Sequence, residues 1–299
     1  MLAFERHGSG EPLVLVHGIT HRRQVWYPVL DQLAAEREVI LVDLPGHGQS
    51  APFAVEGRRV VQALRAQFRQ FLAEQELDRP HIAGNSLGGR IALEAGAEGD
   101  ARSVTALSPA GFWRTDASFI YTRRIFTSAA ALSHRLGPRA AVLSRSRAGR
   151  TLMYGALTSH PARISADHAL GDFRAFEYAR PALRLLLDAA TPFDHEIAPE
   201  IPVTIAWAGR DLVLPLWQAD VAKTLLPHAE HVTMRGVGHV PMFDDPELVA
   251  EVLLRGSMPL GDMTELPGVA RGAPGTERSP HGLRDRLRPA VAIGPSICS

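Results

Sequence analysis

The 299-residue chain contains one cysteine, Cys298, and one lysine, Lys223. With a single cysteine no disulfide can form within the chain, and a reducing compartment is compatible with it. Arginine makes up for the missing lysine, so that 32 basic residues balance 32 acidic ones and the formal net charge is zero. A chain without net charge gives no electrostatic reason to expect nucleic acid or a membrane surface as a partner.

Long apolar runs are also absent. Nowhere do about eighteen consecutive apolar residues occur, so no membrane-spanning helix is predicted. Residues 1–7 lack the basic start and apolar stretch of a signal peptide. We therefore expect a cytoplasmic protein that does not associate with membranes. The hydrophobic content of 45% is ample for a buried core.

Residues 256–299 lack a sustained apolar period. They are rich in proline, glycine and arginine instead. Such a composition cannot bury enough apolar surface to offset the entropy lost on ordering. The sequence predicts a disordered tail over this range.

The segment Gly84-Asn85-Ser86-Leu87-Gly88-Gly89 has the spacing of a nucleophile elbow, a sharp strand-to-helix turn with an exposed serine at its tip. Positions two before and two after the serine crowd its backbone, and glycine fits there because it has no Cβ. Residues 79–83 favour a strand and residues 90–95 favour a helix. The alternative interpretation is that Ser86 is an ordinary helix N-cap.

A serine hydroxyl needs a general base, and the base needs an orienting group. Around such an elbow these partners follow in the chain order serine, acid, histidine. Asp211 comes after an apolar strand at 202–207, and His239 lies on a glycine-containing loop after a strand at 231–234. We predict Ser86 as nucleophile, His239 as general base and then acid, and Asp211 as its orienting carboxylate.

Two backbone N–H groups are needed to stabilise the oxyanion that forms when a serine attacks a carbonyl. One is the N–H of Leu87, directly after the nucleophile. The other is the N–H of Ile19, in the loop that follows an early apolar strand at 13–16. The side chain of Ile19 has little influence on that role.

Other residues compete for these roles. Asp211 can be interpreted as a turn-forming residue, and Asp194 and Glu196 are weaker candidates for the acid, since neither ends a convincing strand. The histidine pairs His17…His21 and His228…His231 suggest metal ligands. No third ligand follows at a suitable distance, so we predict no metal site.

These landmarks together resemble the α/β-hydrolase superfamily. They are His17-Gly18, the segment 43–50, the elbow, Asp211 and Gly238-His239, and the resemblance covers about residues 1–255. It implies a mostly parallel sheet flanked by helices, with a core of residues 1–111 and 196–255. It also implies a serine hydrolase of small-molecule carboxylic esters that works through an acyl-enzyme without cofactor or metal.

A strand is predicted at 104–108, and in the resembled superfamily an insertion after it forms a helical cap over the active site, here residues 112–195. Helical spacing at Ile125, Ala129, Leu132 and Leu136, and an apolar stretch at 181–190, favour helices in this interval. The alternative is extra helices packed on the sheet edge.

The predicted cap carries twelve arginines against six acidic residues. Such a charge excess suggests an anionic substrate, bound through bidentate guanidinium contacts. We expect one of four arginines to contact a substrate carboxylate, and a solvated arginine face is the alternative. The four are Arg123, Arg124, Arg180 and Arg184.

Two other functions stay open. The elbow also resembles that of hydrolases that cleave carbon–carbon bonds in acidic ring-cleavage products, for which Asn85 is suggestive. The oxyanion loop is less glycine-rich than in those enzymes, and Val240 stands where they often have tryptophan. Perhydrolase or haloperoxidase-like activity would use the same triad. A non-catalytic small-ligand binding protein on the same fold is the candidate from another class. The sequence does not indicate an oligomeric state.

Overall fold

A computed structural model of the chain describes residues 1–52 and 60–258. The predicted tail therefore lies, beyond Met258, outside the described residues. Within the described part no helix is both long and apolar enough to cross a membrane.

A seven-stranded sheet forms the centre of the molecule, with the strand order β1-β3-β2-β4-β5-β6-β7. β1 pairs with β3 in the antiparallel sense, and every other neighbouring pair is parallel. This arrangement confirms the predicted mostly parallel α/β-hydrolase fold. The strands are β1 (Phe4–His7), β2 (Pro12–Val16), β3 (Glu38–Val42), β4 (His81–Asn85), β5 (Ser103–Leu107), β6 (Val203–Ala208) and β7 (Glu230–Met234).

Helices connect the strands because parallel neighbours require crossover segments. Short 3-10 turns lie at Arg23–Trp26, Gly137–Arg139, Pro161–Arg163 and Pro241–Phe243. The α-helices are α1 (Tyr27–Ala34), α2 (Val60–Glu74), α3 (Leu87–Ala97), α4 (Asp116–Leu136), α5 (Ala140–Arg145), α6 (Arg147–Tyr154), α7 (Ala166–Asp188), α8 (Gln218–Leu225) and α9 (Pro246–Gly256).

Apolar side chains cover both faces of the sheet. On β2, Val14 and Val16 belong to a core with α2, α3 and α8, whereas Leu13 and Leu15 belong to a second core with α1 and α9. This division follows from the two-residue period of a strand, which sends successive side chains to opposite faces. A strand buried on both faces reads as a continuous apolar run, as this one does.

Helix α7 differs from the sequence prediction. The expected helix at 181–190 is the second half of a helix that starts at Ala166 and passes through Pro181. Proline cannot donate a backbone hydrogen bond inside a helix, and it is usually found in the first turn. Here Ala179 and Leu183 are both buried, so packing keeps the helix continuous across the proline.

Helices α4–α7 occupy the chain between β5 and β6 and pack beside the carboxyl ends of the strands. The Tyr121 hydroxyl donates to the Leu212 carbonyl at 2.8 Å, in the loop after β6. The Tyr178 hydroxyl donates to the Ser50 carbonyl at 3.1 Å, in the loop after β3. These contacts place the four helices over the edge of the sheet where the loops carrying the candidate residues converge.

Candidate active site

Ser86 is the single residue between the end of β4 and the start of α3. Its backbone has φ 57° and ψ −113°, a conformation that non-glycine residues rarely adopt. Three hydrogen bonds hold it there: its N–H donates to the Leu107 carbonyl at 2.9 Å, and its carbonyl accepts from the N–H groups of Ala110 and Arg90, each at 3.0 Å. Strained residues of this kind occur mainly at functional sites, where surrounding contacts enforce them.

The glycines of the elbow are required by close backbone contacts. A Cβ on Gly84 would lie 2.2 Å from the Gly88 carbonyl carbon, and a Cβ on Gly88 would lie 2.0 Å from the Val16 carbonyl oxygen. No larger residue fits at either position without moving the backbone. The two glycines thereby let α3 start directly against the carboxyl ends of β2 and β4.

His239 and Asp211 form a buried pair at the same edge of the sheet. His239 Nδ1 lies 2.7 Å from Asp211 Oδ2, and both side chains are almost wholly buried. Asp211 Oδ1 accepts from the N–H groups of Val213 at 2.9 Å and Leu214 at 2.7 Å. The two backbone N–H groups fix the carboxylate, which therefore holds the His239 ring in one orientation, with the proton on Nδ1.

The remaining ring nitrogen, His239 Nε2, is buried and has no hydrogen-bond partner among the described residues. It is therefore available to accept a proton. Asn85, next to Ser86 in the chain, joins the serine turn to the loop that carries His239. Its side-chain N–H₂ donates to the His239 carbonyl at 2.9 Å and to the Leu107 carbonyl at 3.2 Å. The Ser86 hydroxyl and the His239 ring are not hydrogen-bonded to each other in this structure.

The loop after β2 contacts the serine. A Cβ on Gly18 would lie 3.3 Å from Ser86 Cβ. The Gly18 carbonyl accepts from His17 Nδ1 at 2.7 Å and from the His21 N–H at 3.1 Å. In a trans peptide the carbonyl and the following N–H point in opposite directions, so these bonds also set the direction of the Ile19 N–H. Among the described residues, the N–H groups of Ile19 and Leu87 have no hydrogen-bond acceptor.

The comparison with known families agrees with this geometry. A family model described as alpha/beta hydrolase family matches residues 13–252. The chain belongs to the alpha/beta hydrolase family.

Relatives within this family differ in activity. Epoxide hydrolase EphH of Mycobacterium tuberculosis is 32% identical over 193 residues, which cover 60% of this chain and 89% of the relative. Lipase 3 of Moraxella sp. is 26% identical over 246 residues, which cover 79% of this chain and 74% of the relative. Family membership alone therefore leaves the substrate open.

Among solved structures, the CarC serine hydrolase involved in carbazole degradation superposes with a TM-score of 0.66 at 20% identity. The match covers 85% of this chain and 93% of that one. At this identity the likeness supports the fold alone.

Two buried histidines hold the loops of this alpha/beta hydrolase in place. His17 Nε2 accepts from the Leu44 N–H at 3.0 Å, which leaves its proton on Nδ1. His47 Nδ1 donates to the Pro45 carbonyl at 2.9 Å. Burial lowers the pKa of each of these two histidines to about 3. Both are therefore neutral at pH 7 and act as structural hydrogen-bonding groups.

The rival acids lie elsewhere. Asp194 and Glu196 are exposed, and Asp194 lies 3.8 Å from the ring of its neighbour His195. The structure pairs His239 with Asp211 and with neither of these residues. Within the described ranges, no three His, Cys, Asp or Glu side chains come together as a metal-binding group.

Sequence reasoning missed Asp244, a buried carboxylate on the loop that carries His239. One of its oxygens accepts from Gly238 N–H at 2.7 Å and Ser159 N–H at 2.8 Å, and the other accepts from His160 N–H at 2.7 Å. Asp244 thus ties the histidine loop to the segment between α6 and α7. Its position five residues after His239 was visible in the sequence, but its partners lie about 80 residues away.

We predict that Gly88→Ala lowers the free energy of unfolding by about 3 kcal/mol or more, because the new Cβ meets the Val16 carbonyl. Gly137→Ala is the matched control, since nothing lies within 4 Å of a Cβ there. It should leave stability unchanged or raise it by up to about 1 kcal/mol. Urea denaturation measures both values, and equal stability of the two variants would contradict the clash.

We also predict that stability declines as the pH falls below about 6.5, the ordinary histidine pKa. His17 and His47 take up protons in the unfolded chain at that pH, whereas in the folded chain their pKa of about 3 prevents this. The unfolded state therefore binds more protons between these pH values. Each histidine lowers the free energy of unfolding by up to about 1.4 kcal/mol per pH unit.

Urea denaturation at several pH values between 7.5 and 4.5 measures this slope. Burial also lowers the pKa of His21, His81 and His231, which add to the effect. His47→Gln should reduce the slope, and replacement of the exposed His228 by glutamine should not. An unchanged slope in His47→Gln would show that His47 does not titrate in this way.

Proposed function

We propose that this alpha/beta hydrolase is a cofactor-independent serine hydrolase that cleaves small or medium carboxylic esters through an acyl-enzyme. The observation that carries the proposal is the Asp211–His239 pair. The Nε2 atom of His239 has no hydrogen-bond partner among the described residues. Asn85 ties the loop that carries His239 to the strained turn at Ser86. A strained serine, a histidine base and an orienting carboxylate are the groups that nucleophilic acyl transfer requires.

In the first half-reaction, Ser86 Oγ attacks the ester carbonyl carbon while His239 Nε2 takes the hydroxyl proton. Asp211 stabilises the imidazolium that forms, through the 2.7 Å contact with Nδ1. The oxyanion accepts hydrogen bonds from the N–H groups of Ile19 and Leu87. When the tetrahedral intermediate collapses, the carbon–oxygen bond to the alcohol breaks and His239 returns its proton to the leaving oxygen.

The second half-reaction repeats these steps with water. His239 takes a proton from water as the oxygen attacks the acyl carbon. Collapse of the second intermediate breaks the bond to Ser86 and releases the carboxylic acid, and the serine hydroxyl regains its proton from His239. The two half-reactions together convert ester and water into alcohol and carboxylic acid, and neither requires a metal or a cofactor.

We further propose that helices α4–α7 act as the cap predicted for residues 112–195, over a core of residues 1–111 and 196–255. In support of this, the segment between α6 and α7 is bonded to the histidine loop: the Leu157 carbonyl accepts from the Val240 N–H at 2.8 Å. Asp244 adds the contacts to Ser159 and His160. A substrate held at Ser86 would contact these helices.

The proposed carbon–carbon hydrolase activity gains no support from these contacts. Asn85, which suggested it, donates both of its observed side-chain bonds to backbone carbonyls. Arg123 pairs with Asp188 on the surface, and Arg180 lies against Glu177. Arg124 and Arg184 are exposed. These positions favour a solvated arginine face over a binding site for an acidic substrate.

A fluorophosphonate probe, read by intact mass, tests for the activated serine. We expect one adduct on the wild type and none on Ser86→Ala, while Ser118→Ala, at a partly exposed serine of α4, keeps the adduct. For an ester that the wild type cleaves, Ser86→Ala should reduce kcat on the order of 10⁴- to 10⁶-fold. An adduct that survives in Ser86→Ala would rule out this serine as the nucleophile. Product release no greater than that of Ser86→Ala would indicate a binding protein.

Asp211→Asn should reduce kcat on the order of 10³- to 10⁴-fold, because an amide can hold the ring in the wrong tautomer and does not stabilise the imidazolium. Asp220→Asn is the control, an exposed aspartate in the first turn of α8. Steady-state kinetics on one ester compares the two variants. Similar rates for both would remove Asp211 from the mechanism.

A further inference from the structure

A cavity of about 100 Å³ lies between α4, α6, α7 and the loop after β2. Most of its lining is apolar, and the large side chains include Ile125, Phe126, Met153, Phe173 and Phe176. Such a lining suits a short hydrocarbon chain.

The cavity borders the loops that carry the candidate catalytic groups. Thr20, which lines it, follows Ile19 in the oxyanion loop. Leu157, on another side, accepts a hydrogen bond from the N–H of Val240, the residue after His239. An ester whose carbonyl is held at Ser86 can therefore place one of its chains between these walls.

Five polar residues interrupt the apolar lining: Thr20, His21, Ser133, Tyr154 and Asp172. The hydroxyls of Ser133 and Tyr154 already donate their protons, to Glu177 and to the Ala169 carbonyl. Thr20 Oγ1 already donates its proton to the Ile19 carbonyl, at 2.5 Å. His21 Nδ1 lies 3.4 Å from the same carbonyl, which places the ring proton on Nδ1. Burial lowers the pKa of His21, so the ring is neutral at pH 7 and Nε2 carries a lone pair. Thr20 and His21 therefore have acceptors left and no donors.

Asp172 is 4% exposed, which is rare for a carboxylate. Its Oδ1 accepts from Arg22 Nε at 2.8 Å. His168 Nε2 lies 3.1 Å from Oδ2, but its N–H is not aligned with that oxygen, and neither atom has a hydrogen bond within the described part of the chain. A buried carboxylate oxygen without a hydrogen bond is costly, so a ligand that donates to it is strongly favoured.

The charge state of Asp172 agrees with this. Burial by itself raises the pKa of the carboxyl, but the contacts with His168, His21 and Arg22 outweigh burial, and the net effect is a lowered pKa. Asp172 is therefore ionised at pH 7 and acts only as an acceptor. Arg22 balances its charge, so a ligand here needs a donor and does not need a positive charge.

We propose that Thr20, His21 and Asp172 form an all-acceptor polar end of an otherwise apolar chain-binding cavity, and that it selects esters whose chain carries a hydroxyl group. The hydroxyl donates to Asp172 Oδ2, and the hydrocarbon part contacts the phenylalanine side chains. A chain that ends in a carboxylate is disfavoured, because it brings a second acceptor and a like charge to Asp172. This specificity rests on the proposed esterase function.

Three ethyl esters of equal chain length test the proposal on the full-length wild type. They are ethyl hexanoate, ethyl 6-hydroxyhexanoate and monoethyl adipate, which end in a methyl, a hydroxyl and a carboxylate. We expect kcat/KM for the hydroxy ester to exceed that for ethyl hexanoate by a factor on the order of ten. It should be lowest for monoethyl adipate. A hydroxy ester no better than ethyl hexanoate overturns the proposal without any variant.

Asp172→Asn supplies the matching change in the protein. If the amide oxygen keeps the Arg22 contact, an N–H₂ group replaces Oδ2 and the polar end gains a donor. The preference for the hydroxy ester should then fall on the order of tenfold, and monoethyl adipate should become a better substrate. Asp188→Asn is the control, because it also removes an arginine-paired carboxylate from α7, at an exposed position. Equal loss of preference in both variants overturns the proposal.

Failure of the esterase function gives a different result. In that case none of the three esters is hydrolysed and the fluorophosphonate does not label Ser86. Ligand-observed NMR on the wild type then compares the binding of ethyl 6-hydroxyhexanoate and ethyl hexanoate. Stronger binding of the hydroxy ester supports the all-acceptor cavity, and equal binding overturns it.

Discussion

The close approach of β2, β4 and α3 at the elbow is the constraint on which the candidate site depends. The separations at Gly84 and Gly88 leave no room for a Cβ, so α3 can start only where it does. Ser86 takes a strained conformation because the strand before it and the helix after it are both fixed by packing. The same approach leaves the Leu87 N–H at the start of α3, directed away from helical partners.

Around this turn, buried carboxylates fix the loops by accepting backbone N–H groups. Asp43 accepts from Arg23 and Gln49 in the loops after β2 and β3. Asp211 and Asp244 do the same in the loops after β6 and β7. A carboxylate can accept about four hydrogen bonds, so one side chain can hold two or three loop segments in place at once. Asp211 is thus one member of a set, and it differs from the others because one of its oxygens also contacts the His239 ring.

The helices α4–α7 explain why charge alone is a poor guide to the substrate. Their arginine excess lies largely at the surface, in ion pairs such as Arg123 with Asp188. The side facing the oxyanion loop is apolar, with an ionised aspartate at its polar end. A substrate contacts the local arrangement of donors and acceptors, and the arrangement proposed here favours a hydroxyl over an anion.

Sequence by itself determined the class of fold and the candidate triad. Both depend on local signals: alternating strands and helices, glycines around Ser86, and an acid and a histidine that each end an apolar strand. The sequence did not show that α7 continues through Pro181, since only burial of the flanking residues compensates for the missing N–H.

Tertiary structure alone decided the contacts between residues far apart in the chain. Asn85 meets the His239 carbonyl across 154 positions, and Arg22 meets Asp172 across 150. The sequence around each residue does not predict its partner, because such a hydrogen bond forms only when the fold brings two separate segments together. The shape and polarity of the cavity were decided in the same way, by the packing of helices α4–α7 against the loop after β2.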